Sequence, residues 1–347
     1  MNELMNLGFQ PFFEDQLTQT EWTIGRIATA SNGIYKILSG TGDIQGRLSG
    51  KFHHDVQTMR DFPCVGDWVL FKNLPNENKG IIQQVFKRKT LLSRQAAGDK
   101  QEEQLMAANI DTVFLVNALN KDFNLRRMER YLTQVYESGA SPVFILTKKD
   151  LSPDAAEKVA AVESIAFGVP VLSINTFDQD DLTKVKTFIQ SGKTISLIGS
   201  SGVGKSTLIN SLLGYEIQKT GGVREEDSKG RHTTTHRELF VIPEGGIIID
   251  TPGMRELQLW VDEETTSEAF QDIKKLATDC RFRDCKHLRE PGCAIKNAID
   301  LGTLAPERYQ SYLKLQNEAR FLDLKEEHGV HRAAKIQGKE RRKQNNK

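Results

Sequence analysis

The spacing of apolar positions changes twice along the chain, and each change marks a different kind of element. Over residues 1–95 the apolar residues fall in short runs, Trp22 to Ala28, Gly33 to Leu38, Asp43 to Leu48, Asp67 to Phe71 and Gly80 to Phe86, punctuated by Gly, Asn, Asp or Pro. Runs of this length rich in β-branched and aromatic side chains predict strands. Five of them with turns between predict an all-β segment closed into a small barrel, of which the oligonucleotide-binding (OB) barrel is one kind. Around Arg94 to Gln104 the alternation disappears and the text turns polar, the signature of a linker. Strand and helix signals then alternate: an apolar run at Ile110 to Val116, helical spacing at Leu125, Met128, Leu132 and Val135, a stop at Gly139, and a second run at Pro142 to Leu146. A helix near Ala155 to Phe167, a strand at Val169 to Ile174, a helix at Leu182 to Gln190 and strands at Ile195 to Ile198, Glu238 to Ile242 and Gly246 to Ile249 follow. Such alternation predicts a mostly parallel sheet covered by helices, with ligands at the carboxyl ends of its strands. From about Thr266 a cysteine-rich stretch leads to a polar helix with one apolar stripe, Tyr309, Tyr312, Leu315, Ala319 and Leu322. The expected organisation is therefore multidomain α/β: a barrel at 1–95, an α/β domain at 96–265 and a helical domain at 266–347.

Composition narrows the class. The 347 residues suffice for two or three domains, and the formal net charge is only +1, so affinity for nucleic acid has to come from local patches. Arg26, Lys36, Arg47, Lys51, Arg60, Lys72, Lys87 and Arg88 are scattered through the barrel and read either as a solvated surface or as an RNA-facing one. The tail from Ala333 to Lys347, six Lys or Arg against one Glu, reads either as a frayed end or as an arm that follows phosphates. No apolar run reaches the roughly 18 residues that span a bilayer, and Met1 to Phe13 has no basic leader, so a cytoplasmic location without membrane contact is expected; a monomer is a separate expectation. Cys64 stands alone and reads as a small buried apolar residue, whereas Cys280, Cys285 and Cys293 lie within fourteen residues and suggest metal before disulfide.

Three motifs carry the chemistry. Gly199-Ser200-Ser201-Gly202-Val203-Gly204-Lys205-Ser206-Thr207 fits the phosphate-loop pattern between a strand and a helix. Its glycines let backbone N–H groups converge on phosphate oxygens, Lys205 adds a movable cation, and Ser206 is placed to ligate Mg²⁺. Asp250-Thr251-Pro252-Gly253 follows an apolar strand; Asp250 suits the Mg²⁺ shell and Gly253 can offer its N–H to a third phosphate. Thr147-Lys148-Lys149-Asp150 also ends a strand. The Asp150 carboxylate can accept from the two N–H donors on one edge of guanine, with Lys148 over the ring, and adenine lacks that donor pair. Ser173, at the end of the Val169 to Ile174 strand, joins these residues as a GTP-binding candidate. Together the motifs predict a GTP site. The base-reading motif precedes the other two, so the domain has to be a circularly permuted GTPase.

A fourth constellation is Cys280, Cys285, His287 and Cys293. Three thiolates and one imidazole match a closed tetrahedral Zn²⁺ site, structural because no position is left open. Arg281, Arg283, Lys286 and Arg289 set positive charge beside it, a surface suited to a phosphate backbone.

The permuted motif order, Gly230-Arg231-His232-Thr233-Thr234-Thr235, the Gly66-Asp67-Trp68-Val69 stretch and the C-terminal cysteines together resemble the ribosome small-subunit-dependent GTPase A (RsgA) family over nearly the entire chain. The resemblance implies an OB-like barrel, a permuted GTPase domain and a zinc-binding helical domain. It further implies hydrolysis stimulated by the small ribosomal subunit and its rRNA, in a late maturation checkpoint with a GTP/GDP cycle. Many members carry Asn where Thr147 stands, which predicts weaker guanine binding with the Asp150 discrimination kept. Met254 stands where many GTPases have the water-orienting Gln, and the resemblance points to His232 as its catalytic substitute. One threonine of Thr233 to Thr235, with Thr234 favoured, would complete the Mg²⁺ shell beside Ser206 and Asp250, while Lys205 stabilises charge. The loop Tyr215 to Lys229 is expected to order when GTP binds. Two other readings are a nucleotide-gated RNA-binding scaffold and a small-molecule phosphotransferase, the latter disfavoured by the guanine-reading motif.

Overall fold

A computed structural model describes residues 2–17, 21–74, 77–95, 103–120, 122–215, 237–243, 245–250, 269–287, 290–329, 332–333 and 335–339. The chain divides into two compact units, one of Met1–Phe123 with Ser138–Gln258 and the other of Asn124–Glu137 with Leu259–Lys347.

The first unit opens with two short helices, α1 (Asn2–Asn6) and α2 (Pro11–Glu14), where the sequence suggested only strands. Then β1 (Thr23–Ser31), β2 (Ile34–Ser39), β3 (Gly42–Leu48), β4 (Trp68–Asn73) and β5 (Lys79–Val85) close a barrel in the order β1-β2-β3-β5-β4, with α3 (Gly50–Asp55) between β3 and β4. All pairs are antiparallel except β3 with β5. Alternation along the strands turns Ile27, Ile37, Ile44, Val69, Phe71 and Ile82 inward. Phe9 and Phe13 from the N-terminal segment pack with Trp68 on the outside, which explains why a polar chain carries Phe so close to its start.

The Gly66-Asp67-Trp68-Val69 stretch fastens this barrel to the chain around Ala108 and Asn109. Gly66 has φ +92°, and a Cβ there would stand 2.1 Å from the Ala108 carbonyl oxygen, so only glycine admits the close approach. Asp67 is fully buried and receives both Arg88 Nε and Nη2, at 2.8 and 2.7 Å. Arg26, 1 % exposed, donates to the carbonyls of Gly66, Leu7 and Asn109 and lies 5.5 Å from the Trp68 ring centroid. Arg26 and Arg88 therefore hold the unit together, and Arg26 is too buried to face a nucleic acid. Cys64 is buried as expected, and burial pushes its thiol well above the usual range. The polar stretch around Arg94 to Gln104 is flanked by a two-stranded ribbon, β6 (Leu91–Gln95) antiparallel to β7 (Glu103–Ala108), rather than being a bare linker.

A six-stranded sheet completes the unit, with β8 (Thr112–Ala118), β9 (Ser141–Thr147), β10 (Val171–Ser173), β11 (Thr194–Ile198), β12 (Glu238–Val241) and β13 (Ile247–Asp250) in the order β10-β9-β8-β11-β13-β12. All neighbours are parallel except β12 with β13. Continuous apolar runs such as Ile247–Ile249 match strands buried on both faces. Helices α5 (Ala155–Glu163), α6 (Gln179–Lys186) and α7 (Lys205–Leu213) follow β9, β10 and β11. Leu182, Val185, Leu208, Ile209 and Leu212 from α6 and α7 pack on Phe114, Val116, Ile145 and Leu197. Asp178 caps α6 by accepting from Asp180 and Asp181 N–H, so that helix begins before the Leu182 that periodicity marked.

The second unit contains α4 (Leu125–Ser138) up to Glu137, although α4 lies in the chain between β8 and β9. With it come α8 (Gln271–Thr278), α9 (Ala294–Asp300) and α10 (Pro306–His328). Phe270, Ile273, Ile295, Leu304, Leu315 and Ala319 form its core, with Tyr309 and Tyr312 packed alongside, so four of the five positions of the apolar stripe join this core and Leu322 does not. Among the described residues no helix is long and apolar enough to cross a membrane.

Candidate nucleotide site and metal cluster

The carboxyl ends of β9, β10, β11 and β13 carry the predicted site residues, and side-chain bonds tie the ends of β9 and β11 together. Between β11 and α7, Gly199 to Gly204 forms the loop, with Gly204 at φ +99° as the residue preceding the helix. A Cβ on Gly199 would lie 2.1 Å from the Val116 carbonyl oxygen, which explains glycine where the loop leaves the sheet. Val203 is fully buried beneath the loop, while Ser201 and Gly202 are exposed. Ser206 and Thr207 stand half-buried in the first turn of α7. Lys205 Nζ donates back to the carbonyls of Gly199 and Ser200 at 2.7 and 2.6 Å. Its ammonium thus sits inside the loop that the sequence assigns to phosphate.

The base-reading motif is tied directly to this loop. Thr147, fully buried, donates through Oγ1 to the Val203 carbonyl at 2.5 Å. Lys148, at φ +61°, places Nζ 2.7 Å from the Gly202 carbonyl. The threonine hydroxyl thus ties the two loops together directly. Asp150 is exposed, so the cost of an unpaired buried carboxylate arises only once a base covers it. Lys149 forms an ion pair with Asp181, Nζ to Oδ2 at 3.5 Å.

Asp181 is a positioning residue that the sequence reading missed. It is 3 % exposed, accepts from Asn175 N–H at 2.9 Å and from Lys184 Nζ at 2.8 Å. Burial opposes its ionisation, but the Lys184 ammonium, the Asn175 N–H and Lys149 outweigh burial and hold the carboxyl below its usual value. It thereby fixes the loop after β10, which begins at Ser173 opposite Leu146. Ile174 N–H donates to the Leu146 carbonyl at 2.8 Å, completing the link between the two loops. The available signal was an aspartate pair, Asp178 and Asp181, at helix-capping spacing. Asp250 ends β13 opposite Glu238 and is 7 % exposed. His232, Thr233, Thr234, Thr235, Thr251, Pro252, Gly253 and Met254 lie outside the described residues, as does the loop after Tyr215.

In the second unit, Cys280, Cys285, His287 and Cys293 converge, their ligand atoms all within 4.8 Å of one another. His287 Nδ1 is 3.5 Å from both Cys280 Sγ and Cys293 Sγ. A tetrahedral centre with metal–sulfur and metal–nitrogen bonds of about 2.3 and 2.05 Å requires an S···N separation of about 3.5 Å. The donor set therefore fits a metal ion. His287 is at φ +58°, and Cys293 immediately precedes α9. Burial pushes the Cys280 thiol up, but N–H donors from Ala294 and Ile295 more than offset it, and the thiol ends below its usual value. Burial also lowers His287, which favours the neutral imidazole a metal needs. Arg281, Arg283 and Lys286 are exposed beside the cluster; Arg289 lies outside the described residues.

Known proteins match this arrangement over most of the chain. A family model described as RsgA GTPase matches residues 85–260, and one described as RsgA N-terminal domain matches residues 24–82. "Small ribosomal subunit biogenesis GTPase RsgA 2" of Vibrio vulnificus is 46 % identical over 321 residues, covering 92 % of this chain and 88 % of the relative. "Small ribosomal subunit biogenesis GTPase RsgA" of Opitutus terrae is 44 % identical over 322 residues, covering 90 % and 86 %. Among solved structures, YjeQ from Thermotoga maritima matches with a TM-score of 0.64 at 26 % identity, over 86 % of this chain and 98 % of that one. YloQ, a circularly permuted GTPase, matches with a TM-score of 0.62 at 27 % identity, over 87 % and 96 %. With the barrel, the permuted motif order, the phosphate loop and the cysteine cluster in place, the chain belongs to the RsgA GTPase family.

Proposed function

We propose that this GTPase binds GTP in the cradle of Thr147, Lys148, Lys149, Asp150, Ser173, Gly199 to Thr207, Asp250 and Gly253, and that it acts on the small ribosomal subunit as a late maturation checkpoint in the cytoplasm. The observation that carries the nucleotide assignment is the pair of bonds from Thr147 to Val203 and from Lys148 to Gly202. They join the base-reading and phosphate motifs into one surface although the chain presents them in permuted order. Printed names of the relatives, which couple a GTPase to small-subunit biogenesis, support the partner.

Hydrolysis needs positioning and charge stabilisation more than covalent chemistry. Lys205, now bonded to two loop carbonyls, is placed to exchange them for phosphate oxygens and to stabilise charge as it moves outward. Ser206, Asp250 and Thr234 would hold Mg²⁺, which neutralises phosphate charge when bound. His232 would orient the attacking water, a role that Met254 cannot fill. Zn²⁺ is the ion best matched to three thiolates and one imidazole in a closed set. It would fix the segment that displays Arg281, Arg283 and Lys286 toward rRNA. The three-domain division at residues 95 and 265 is kept as a functional division, with α4 in the second of the two compact units.

Hydrolysis of GTP and ATP by the purified protein, alone and with small ribosomal subunits, tests this reading. Slow GTP-only turnover that rises steeply with the subunit is expected. Turnover indifferent to the subunit would remove the partner assignment.

A further inference from the structure

Helix α4 belongs to one unit by packing and to the other by chain order. It follows β8 and precedes β9, the strand that ends in Thr147-Lys148-Lys149-Asp150, yet its residues up to Glu137 pack with the C-terminal residues. The bonds on each side are specific. Within the second unit, Glu129 is 1 % exposed and accepts from Arg308 Nη1 at 2.9 Å and from Arg126 Nη1 at 2.5 Å. Arg308, itself 5 % exposed, is held by Asp272 through Nε and Nη2, both at 2.7 Å, and lies 4.8 Å from the Phe270 ring centroid. Arg130 pairs with Glu318 of α10, and Tyr136 packs against the core cluster that contains Cys293. A buried charge held by this many partners is costly to break, so α4 moves with the C-terminal helices.

Within the first unit, the few residues that connect β8 to α4 brace the base-reading loop on both sides. Leu119 N–H donates to the Thr147 carbonyl at 3.0 Å. The Leu119 carbonyl accepts from Ser152 Oγ and from Lys158 Nζ, both at 2.6 Å. The same Lys158 ammonium lies 5.7 Å from the Phe123 ring centroid, one residue before the second unit begins. Asn124 then accepts Arg127 N–H at 3.0 Å and starts α4. Thr147 and Ser152 bracket Asp150, so one short connector fixes the ends of the segment that meets the base.

We propose that the C-terminal unit sets guanine-nucleotide affinity through α4, with Glu129–Arg308 as the grip and the Leu119–Phe123 connector as the brace of the base-reading loop. The inference rests on the reading that Thr147 to Asp150 contacts guanine. Anything that engages the C-terminal unit and displaces α4 then alters nucleotide release without touching the nucleotide. By linkage, the nucleotide must stabilise the α4 grip to the same extent.

The test uses the full-length, metal-loaded chain and a fluorescent GDP analogue. Glu129→Gln and Arg308→Met are each expected to speed GDP release and weaken affinity about 5-fold or more. Asp272→Asn, which loosens Arg308 at one remove from Glu129, should shift affinity in the same direction and by less. Unchanged affinity in both α4-grip variants, or a larger loss in Asp272→Asn than in either of them, overturns the proposal. Should either grip variant fail to fold, hydrogen exchange on the unaltered protein decides: GDP must slow exchange across residues 126–135, and its failure to do so overturns the relay. Asp150→Ala separates the two levels. If it leaves GDP affinity intact, the base-reading assignment itself is wrong; if it abolishes affinity while the grip variants do nothing, only the relay is wrong.

Discussion

Lys205, the side chain proposed to meet phosphate, is held by its own loop. Its ammonium is satisfied by two carbonyls of its own loop, so little reorganisation separates this state from one in which phosphate oxygens replace them. Lys205→Met should keep the fold and lower kcat by about 10² to 10³, the usual loss for one donor aimed at developing charge. Asp150 is expected to act on selectivity. Replacing it with Asn removes two charge-assisted bonds worth about 1.5–3 kcal/mol each, so guanine-nucleotide affinity should fall between about 10² and 10⁴-fold in a direct binding titration. Asp181 gives a pH signature. Its carboxyl is held below the usual value, so the stabilisation it lends the loop is complete above the ordinary carboxylate range and is lost as pH falls through the lowered folded value. GDP affinity should therefore not change between pH 8 and pH 5 on account of this residue, and Asp181→Asn should weaken it across that whole range. Motif residues at this scale were legible because their chemistry fixes their spacing. Asp181, Lys158 and Leu119 were not, because a buried carboxylate, a lysine on a carbonyl and a backbone N–H leave no pattern until the loops are brought together.

Among the elements, pattern reading succeeded wherever burial imposed a period. Five barrel strands and the strands that carry Gly199, Thr147 and Asp250 all appear near their expected places, because each buries alternating or continuous apolar positions. It failed where local propensity is weak. The N-terminal helices and α3 are only four to six residues long and hold few buried side chains. The β6–β7 ribbon includes Arg94 and Gln104, bonded to each other across the strands, so its polar text concealed regular pairing. The glycines made a stronger mark than their elements did. Gly199→Ala would set a methyl against the Val116 carbonyl and force the loop away from β8. A loss of about 1–3 kcal/mol in denaturant-monitored stability is expected, together with a lower affinity for GDP.

At the scale of the molecule, the cysteine cluster and the phosphate-loop residues belong to different compact units. The sequence reading expected a helical domain at 266–347 but not that α4, in the middle of the permuted GTPase text, packs with those C-terminal residues. Helical periodicity reveals that a helix has an apolar face and says nothing about which core that face joins. Each unit has its own core, one around Val116, Ile145 and Leu208 and one around Phe270, Ile295 and Leu315, so two melting transitions are expected by calorimetry. GDP at 100 times its Kd should stabilise the first by about 2.7 kcal/mol. Removing the metal with a chelator should lower the second, because Cys280, Cys285 and Cys293 belong to or pack against that core and lose the ion that cross-links them. If α4 couples the units as proposed, GDP also raises the second transition and the chelator speeds GDP release. A single transition that both treatments shift equally would instead mean that the chain unfolds as one body, and the two cores would then have no separate thermodynamic existence.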